Sequence, residues 1–126
     1  MKIEFEVGLP PSLLFTDEAK SQIVDGIERG IPEQRQIVTF GADRTRDVDT
    51  PDLLKAAALI DGVRVHDGHI ICDATVLDTP SGIAVKDLIQ RRYVISVSAI
   101  MTGVISEDRI VSDVEFGYLD IDIPTE

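Results

Sequence analysis

The chain opens on a strict two-residue alternation, with Ile3, Phe5 and Val7 against Lys2, Glu4 and Glu6. That period predicts a strand with one face in a core and the other in water. Gly8-Leu9-Pro10-Pro11-Ser12 then breaks the pattern, since adjacent prolines bring no amide hydrogen to a sheet. Beyond it the period becomes helical: Ile23, Val24 and Ile27 form one apolar stripe, and Thr16 can cap its start. Asp17 and Glu18 suit the positive end of the helix dipole. Gly30 and Pro32 stop the helix. Residues 36–40 read as a short strand, and the polar stretch 41–49 as a mobile loop.

Thr50 and Pro51 have the chemistry of an N-cap and a first helical residue, and predict a second helix through 53–60 (LLKAAALI), ended by Gly62. A hairpin follows. Its arms are 63–65 and 70–77, and Asp67-Gly68 supplies the two positive φ angles of a type I′ turn. The turn 78–82 (DTPSG) launches a third helix over 83–92, with Ile83, Val85, Leu88 and Ile89 on its buried side. Two long strands, 93–105 and 109–123, are joined by a polar turn and should pair antiparallel. In the last strand the apolar positions change phase: Ile110, Val114, Phe116 and Tyr118 are even, Leu119, Ile121 and Ile123 odd. Gly117 sits at the change, where a bulge keeps the apolar side inward and curls the sheet. The pattern therefore predicts an α+β fold, a bent, mostly antiparallel sheet or barrel flanked by two or three helices.

Composition narrows the class. The length of 126 residues suits one domain with its own core, divided into an N-terminal part (1–49) and a C-terminal part (50–126). The net charge of −11, from 23 acidic and 12 basic residues, argues against nucleic-acid binding, which needs a basic face. It suits a basic protein partner instead. No apolar stretch reaches the ~20 residues that span a membrane, and the start MKIEFEVG lacks the layout of a signal peptide. The single cysteine, Cys72, forms no internal disulfide and reads as a small buried residue, compatible with a reducing cytoplasm. An apolar helix beside a curled sheet also leaves room for a homo-oligomer.

Candidate chemistry centres on the run 94–103 (VISVSAIMTG). Alternation places Ser96 and Ser98 on one face with Val94 and Ile100. A serine hydroxyl is a poor nucleophile without a neighbouring base. The histidines His66 and His69 flank Asp67-Gly68 and face one another across the hairpin turn, so they reach Ser98 only if that turn folds over its strand. A metal would need a third ligand, and Cys72 falls on the opposite face from His69; neither a metal site nor a cofactor is expected. Asp73 and Asp78 are five apart on one strand and face opposite sides, so no carboxylate dyad forms there, and Asp78 is expected to cap the turn before the helix. Lys86, Arg91 and Arg92 suit the negative end of that helix. Asp113, Glu115, Asp120, Asp122 and Glu126 read as an acidic, solvated strand face that can bind a basic partner.

Three phrases, 68–90 (GHIICDATVLDTPSGIAVKDLIQ), 94–104 (VISVSAIMTGV) and 108–126 (DRIVSDVEFGYLDIDIPTE), together resemble the prohead (capsid maturation) proteases of tailed bacteriophages, whose fold is related to the herpesvirus assemblins. In that family a phrase like LDTPxG precedes a short helix, a serine-bearing strand with a glycine five residues on follows, and a strand of the type VxDFxLxxIDIVxxPS closes the core. Here Leu77-Asp78-Thr79-Pro80-Ser81-Gly82 matches the first, Ser98 and Gly103 the second, and 111–125 the third. The resemblance implies a protease-like core over 50–126, with Ser98 in the nucleophile's place and a capsid or scaffold protein as partner, in the host cytoplasm or the virion. Two departures stand against activity. The family's histidine base, in a phrase resembling VSH, is met by Lys55-Ala56-Ala57-Ala58, and its SSRG by Ser98-Ala99-Ile100-Met101. The expectation is a binding or structural component without catalysis; the alternatives are a serine protease using Ser98, and an acidic inhibitor or decoy for a basic host protein.

Overall fold

The computed structural model describes residues 1–44 and 50–122. The alternating start forms β1 (Lys2–Gly8), and a two-residue strand β2 (Leu14–Phe15) leads into helix α1 (Asp17–Gly30). Thr16 caps α1 by accepting the Ala19 amide at 3.0 Å, and Ala19, Ile23 and Ile27 form its buried stripe. Strand β3 is Ile37–Phe40. Of the loop expected over 41–49, residues 45–49 lie outside the described residues, as do Ile123 and Glu126.

The segment after Thr50 departs from expectation. Only a single 3₁₀ turn, Leu53–Lys55, forms where a helix was predicted, and Ala56–His66 is strand β4. Pairing explains the outcome: β4 lies between β3 and β5 (His69–Val76), with Val38 opposite Ala58 on one side and Val76 opposite Ala58 on the other. Propensity for helix in an alanine run is worth only tenths of a kcal/mol per residue, about 0.7 at most against ordinary residues, and two flanking ladders outweigh it. Asp67 and Gly68 turn β4 into β5 with φ of 51° and 78°, as a type I′ turn requires.

Helix α2 spans Pro80–Gln90, so it starts three residues before the expected position. Thr79, not Asp78, caps it, accepting the Gly82 amide at 3.0 Å, and Ile83 is exposed rather than buried. Asp78 instead takes the Lys86 ammonium at 2.7 Å. Strands β6 (Val97–Ile105) and β7 (Ile110–Ile121) pair antiparallel, as the sequence implies, although β6 begins four residues later than predicted.

Six strands close in the ring order β7-β3-β4-β5-β1-β6, with β6 returning to β7 and β2 added on β7's flank. The pairings β3–β4, β4–β5, β1–β5 and β6–β7 are antiparallel, whereas β1–β6, β3–β7 and β2–β7 are parallel. The result is an α+β fold with a mixed, barrel-like sheet and, among the described residues, two α-helices. Strands β1 and β3 of the N-terminal part are each inserted between strands of the C-terminal part in the one ring, whose fully buried core includes Ile23, Ile27, Val38, Cys72, Leu119 and Ile121.

Closure requires β7 to bend, and it does so at two bulges. Ile100 faces Tyr118 while Met101 faces Phe116, leaving Gly117 as the extra residue where the sequence changes phase. A second extra residue falls between the pairs Thr102–Glu115 and Val104–Ser112, where Asp113 has a φ of 50°. Gln22 of α1 reaches this bulge and accepts the Val114 amide at 2.7 Å. Nearby, α1 lies so close to β7 that a Cβ on Gly26 would stand 2.6 Å from the Phe116 Cβ.

Candidate functional site

Ser98 is the second residue of β6 and is half-buried. Its register partners are Gly8 on β1 and Asp120 on β7; Asp120 in turn faces Thr39 on β3, and Thr39 faces Ala56 on β4. One cross-strand row therefore carries a serine, an aspartate, a threonine and an alanine. Facing residues in paired strands project to the same side of a sheet, so these side chains share the outer surface of the ring. Ala56 belongs to the triple alanine that stands where the resemblance places a histidine base, and it contributes only a methyl group to the row.

The polar groups of the row are bound into one network. Asp120, whose side chain is 2% exposed, accepts the Thr39 hydroxyl at 2.6 Å, the Ala42 amide at 3.0 Å, and Arg44 Nε and Nη2 at 3.1 and 2.9 Å. The same Arg44 guanidinium also grips Asp122. Ser98 Oγ donates to the other carboxylate oxygen of Asp122 at 2.9 Å. Burial acts to lower the Arg44 pKa, and the hydrogen bonds to Asp120 and Asp122 outweigh it, so the guanidinium is held above its ordinary value. Ser98 thus rests against a carboxylate already engaged by the Arg44 guanidinium rather than against a histidine.

The sequence reading had Asp113, Glu115, Asp120 and Asp122 on one solvated face. Asp113 and Glu115 are exposed, but Asp120 is buried and Asp122 is partly covered, because Arg44 folds over both. Asp120 follows Tyr118-Leu119 and precedes Ile121, all buried. A carboxylate inside such a run needs a cation, and that was the available signal; which cation it is depends on contacts 76 residues away in sequence.

His66 and His69 face each other across the hairpin turn as expected. The His69 ring contacts Glu6 through Nδ1, and His66 Nε2 lies 3.3 Å from Asp67. His66 ends β4 and His69 begins β5, and β1 stands between β5 and β6; the histidines contact Asp67 and Glu6, whereas Ser98 bonds Asp122. Asp73 pairs with Arg64 at 2.8 Å and Asp78 with Lys86 at 2.7 Å, so they do not meet as a dyad. Arg91 bonds Asp87 at 3.2 Å. The Cys72 thiol is fully buried and burial pushes it up to about 12, well outside nucleophilic range. Among the described residues no group of three or more His, Cys, Asp or Glu side chains is arranged to hold a metal ion.

Beside Ser98 the ring is incompletely paired. After Gly8 the chain turns off through Pro10 and Pro11, so among the described residues 99–105 of β6 pair only with β7. A cavity of about 170 Å³ lies along that edge, walled by Leu13, Phe15, Ala99, Met101, Ile105 and Val111 among others.

No family model matches the chain, and no curated protein does. Among solved structures it is similar to the capsid assembly protease gp21 of bacteriophage T4, with a TM-score of 0.79 and 16% identity, over 98% of this chain and 81% of that one. At that identity the shared property is the fold, and this chain has a prohead-protease-like fold.

Proposed function

We propose that this protein is a phage component of capsid assembly that binds a partner through a prohead-protease fold and cleaves nothing. The single observation that carries the reading is the Ser98 hydrogen bond to Asp122, a carboxylate occupied by Arg44. Acyl transfer by serine needs a free base beside the hydroxyl and donors aimed at the developing oxyanion. The row supplies an ion pair in place of the base, and Ile100 and Met101 stand where the related proteases carry Arg and Gly. The fold it shares with a capsid assembly protease supports a capsid or scaffold protein as the partner, in the host cytoplasm or the virion. The unpaired edge of β6 and its apolar cavity offer an extended segment of that partner a place to dock, and the charge of −11 favours a basic one.

The test combines activity with binding. Purified protein is incubated with scaffold-derived peptides and with a serine-directed phosphonate, alongside Ser98→Ala. The expected result is no cleavage, labelling equal in both proteins, and peptide binding that weakens as salt rises. Cleavage or labelling lost specifically in Ser98→Ala establishes a working protease and overturns the reading. Retention of a basic host protein, with no affinity for capsid or scaffold protein, assigns the chain as an acidic inhibitor or decoy instead.

A further inference from the structure

The ring joins two antiparallel blocks, β6–β7 and β3-β4-β5-β1, through two short parallel seams. The β3–β7 seam, from Val38–Leu119 to Phe40–Ile121, is clasped by polar groups. Asp120 accepts the Thr39 hydroxyl and the Ala42 amide, Arg44 grips Asp120 and Asp122, and the Gly41 amide donates to the Ile121 carbonyl at 3.1 Å. The β1–β6 seam has no such support. Among the described residues it consists of Val7–Val97 and Gly8–Ser98, and no side-chain hydrogen bond or ion pair joins the two strands: Lys2, Glu4 and Glu6 bond to β4 or β5, and Ser98 to Asp122. Parallel pairing is also slightly weaker per residue than antiparallel.

A cavity borders the seam at each end. One of about 280 Å³ precedes it, walled by Ile3, Phe5, Ile89 and Ile95 among others, and the cavity of about 170 Å³ beside Ala99 and Met101 follows it. Ile3, Phe5 and Val7 share one face of β1, Val97, Ala99 and Met101 share one face of β6, and Val7 faces Val97. Both cavities therefore lie on the same side, and the buried Val7–Val97 pair is the plug between them. The chains leading away from the seam, 10–12 and 91–94, are exposed and can shift without uncovering core. At the seam itself the backbones are so close that a Cβ on Gly8 would stand 2.9 Å from the Val97 carbonyl oxygen.

We propose that the ring opens reversibly at this seam, β6 parting from β1 at Val97 and Ser98 while it stays paired with β7, and β7 stays clasped to β3. Opening lifts the Val7–Val97 plug and joins the two cavities into one groove. It also frees the β1-facing main chain of β6 continuously from Val97 to Ile105, with Ser98 near the start of that edge. Arg44 and Asp120 then have a mechanical part: they keep the opposite seam shut, so the ring parts at one place rather than two. The opening is a property of the free chain and does not depend on the function proposed above.

The test is native-state hydrogen exchange on the isotope-labelled full chain, without partner, in urea from zero to just below the unfolding midpoint. Amides bonded across the seam, around Val7–Gly8 and Val97–Ser98, should exchange at least about tenfold faster than those of the β4–β5 ladder. Low urea should leave their rate unchanged, because a local opening exposes little surface, whereas the β4–β5 amides should follow global unfolding. Gly8→Ala drives a methyl group against the Val97 carbonyl, and should speed exchange at the seam at least about tenfold more than in β4–β5. The proposal is overturned if the seam amides share the rate and urea dependence of the β4–β5 ladder, if the β3–β7 amides open before them, or if Gly8→Ala speeds all strands equally. Should Gly8→Ala fail to fold, the first two comparisons, made on the parent chain, decide the matter.

Discussion

Asp120 holds a charge where water scarcely reaches, and Arg44 is the cation that permits it. Replacing Arg44 with glutamine keeps a polar side chain and removes the charge. Stranding one partner of a fully buried ion pair costs about 3–5 kcal/mol, whereas an exposed pair is worth about 0–1 kcal/mol. This pair lies between those limits: Asp120 is 2% exposed but Arg44 is 42% exposed, so water follows the departing guanidinium. The Thr39 hydroxyl and the Ala42 amide also remain on the carboxylate. A loss of about 2 kcal/mol follows, or a fall in Tm of about 6–10 °C for a domain of this size. Urea unfolding at constant m-value measures it. The double variant Arg44→Gln with Asp120→Asn no longer strands a charge, so it should recover at least about 1 kcal/mol relative to additivity. A single-variant loss under about 0.5 kcal/mol, or strict additivity in the cycle, refutes the claim that the ion pair with Arg44 is what stabilises Asp120 in its buried place.

Two further outcomes follow from burial and close packing. Burial pushes the Cys72 thiol up to about 12 in the folded chain, above the ordinary thiol value of 9.0 that it has when unfolded. Its contribution is therefore full below about pH 9 and is lost as pH rises toward 12, at about 1.4 kcal/mol per unit. Urea midpoints taken across that range should fall for the parent and stay flatter for Cys72→Ala, and a thiol reagent should label native protein only at the rate of unfolding. Gly26→Ala gains about 1 kcal/mol of helix propensity, yet its methyl group would meet Phe116 at 2.6 Å. The net should be a loss of about 1–2 kcal/mol; a gain in Tm for this variant contradicts the packing described between α1 and β7.

Local chemistry explains what could be read from the sequence. Thr16, the Asp67-Gly68 turn and Gly117 each act through their own backbone or nearest neighbours, and each does in the structure what its residue type predicts. The segment Ala56 to Ile60 was misread because its preference for helix is local, whereas its strand state comes from β3 and β5 on either side. Its five consecutive apolar residues, leading straight into the hairpin arm, were the signal for a strand buried on both faces. Ser98 was identified as the centre of the candidate site, but the network around it was not. Arg44 sits in a polar stretch that looks like solvated loop, and only the ring brings it to Asp120 and Asp122.

Strand β7 pairs with β2, β3 and β6, and it follows the other six described strands in sequence. During synthesis, therefore, β1 to β6 emerge with their closing member still absent, and no earlier segment can seal the ring. Until Ile121 leaves the ribosome, β3 and β6 each present an unsatisfied flank, a condition that favours association with other chains or with chaperones. Closure thus waits on β7, and a chain truncated inside β7 should behave as an aggregation-prone intermediate rather than as a smaller version of the same protein.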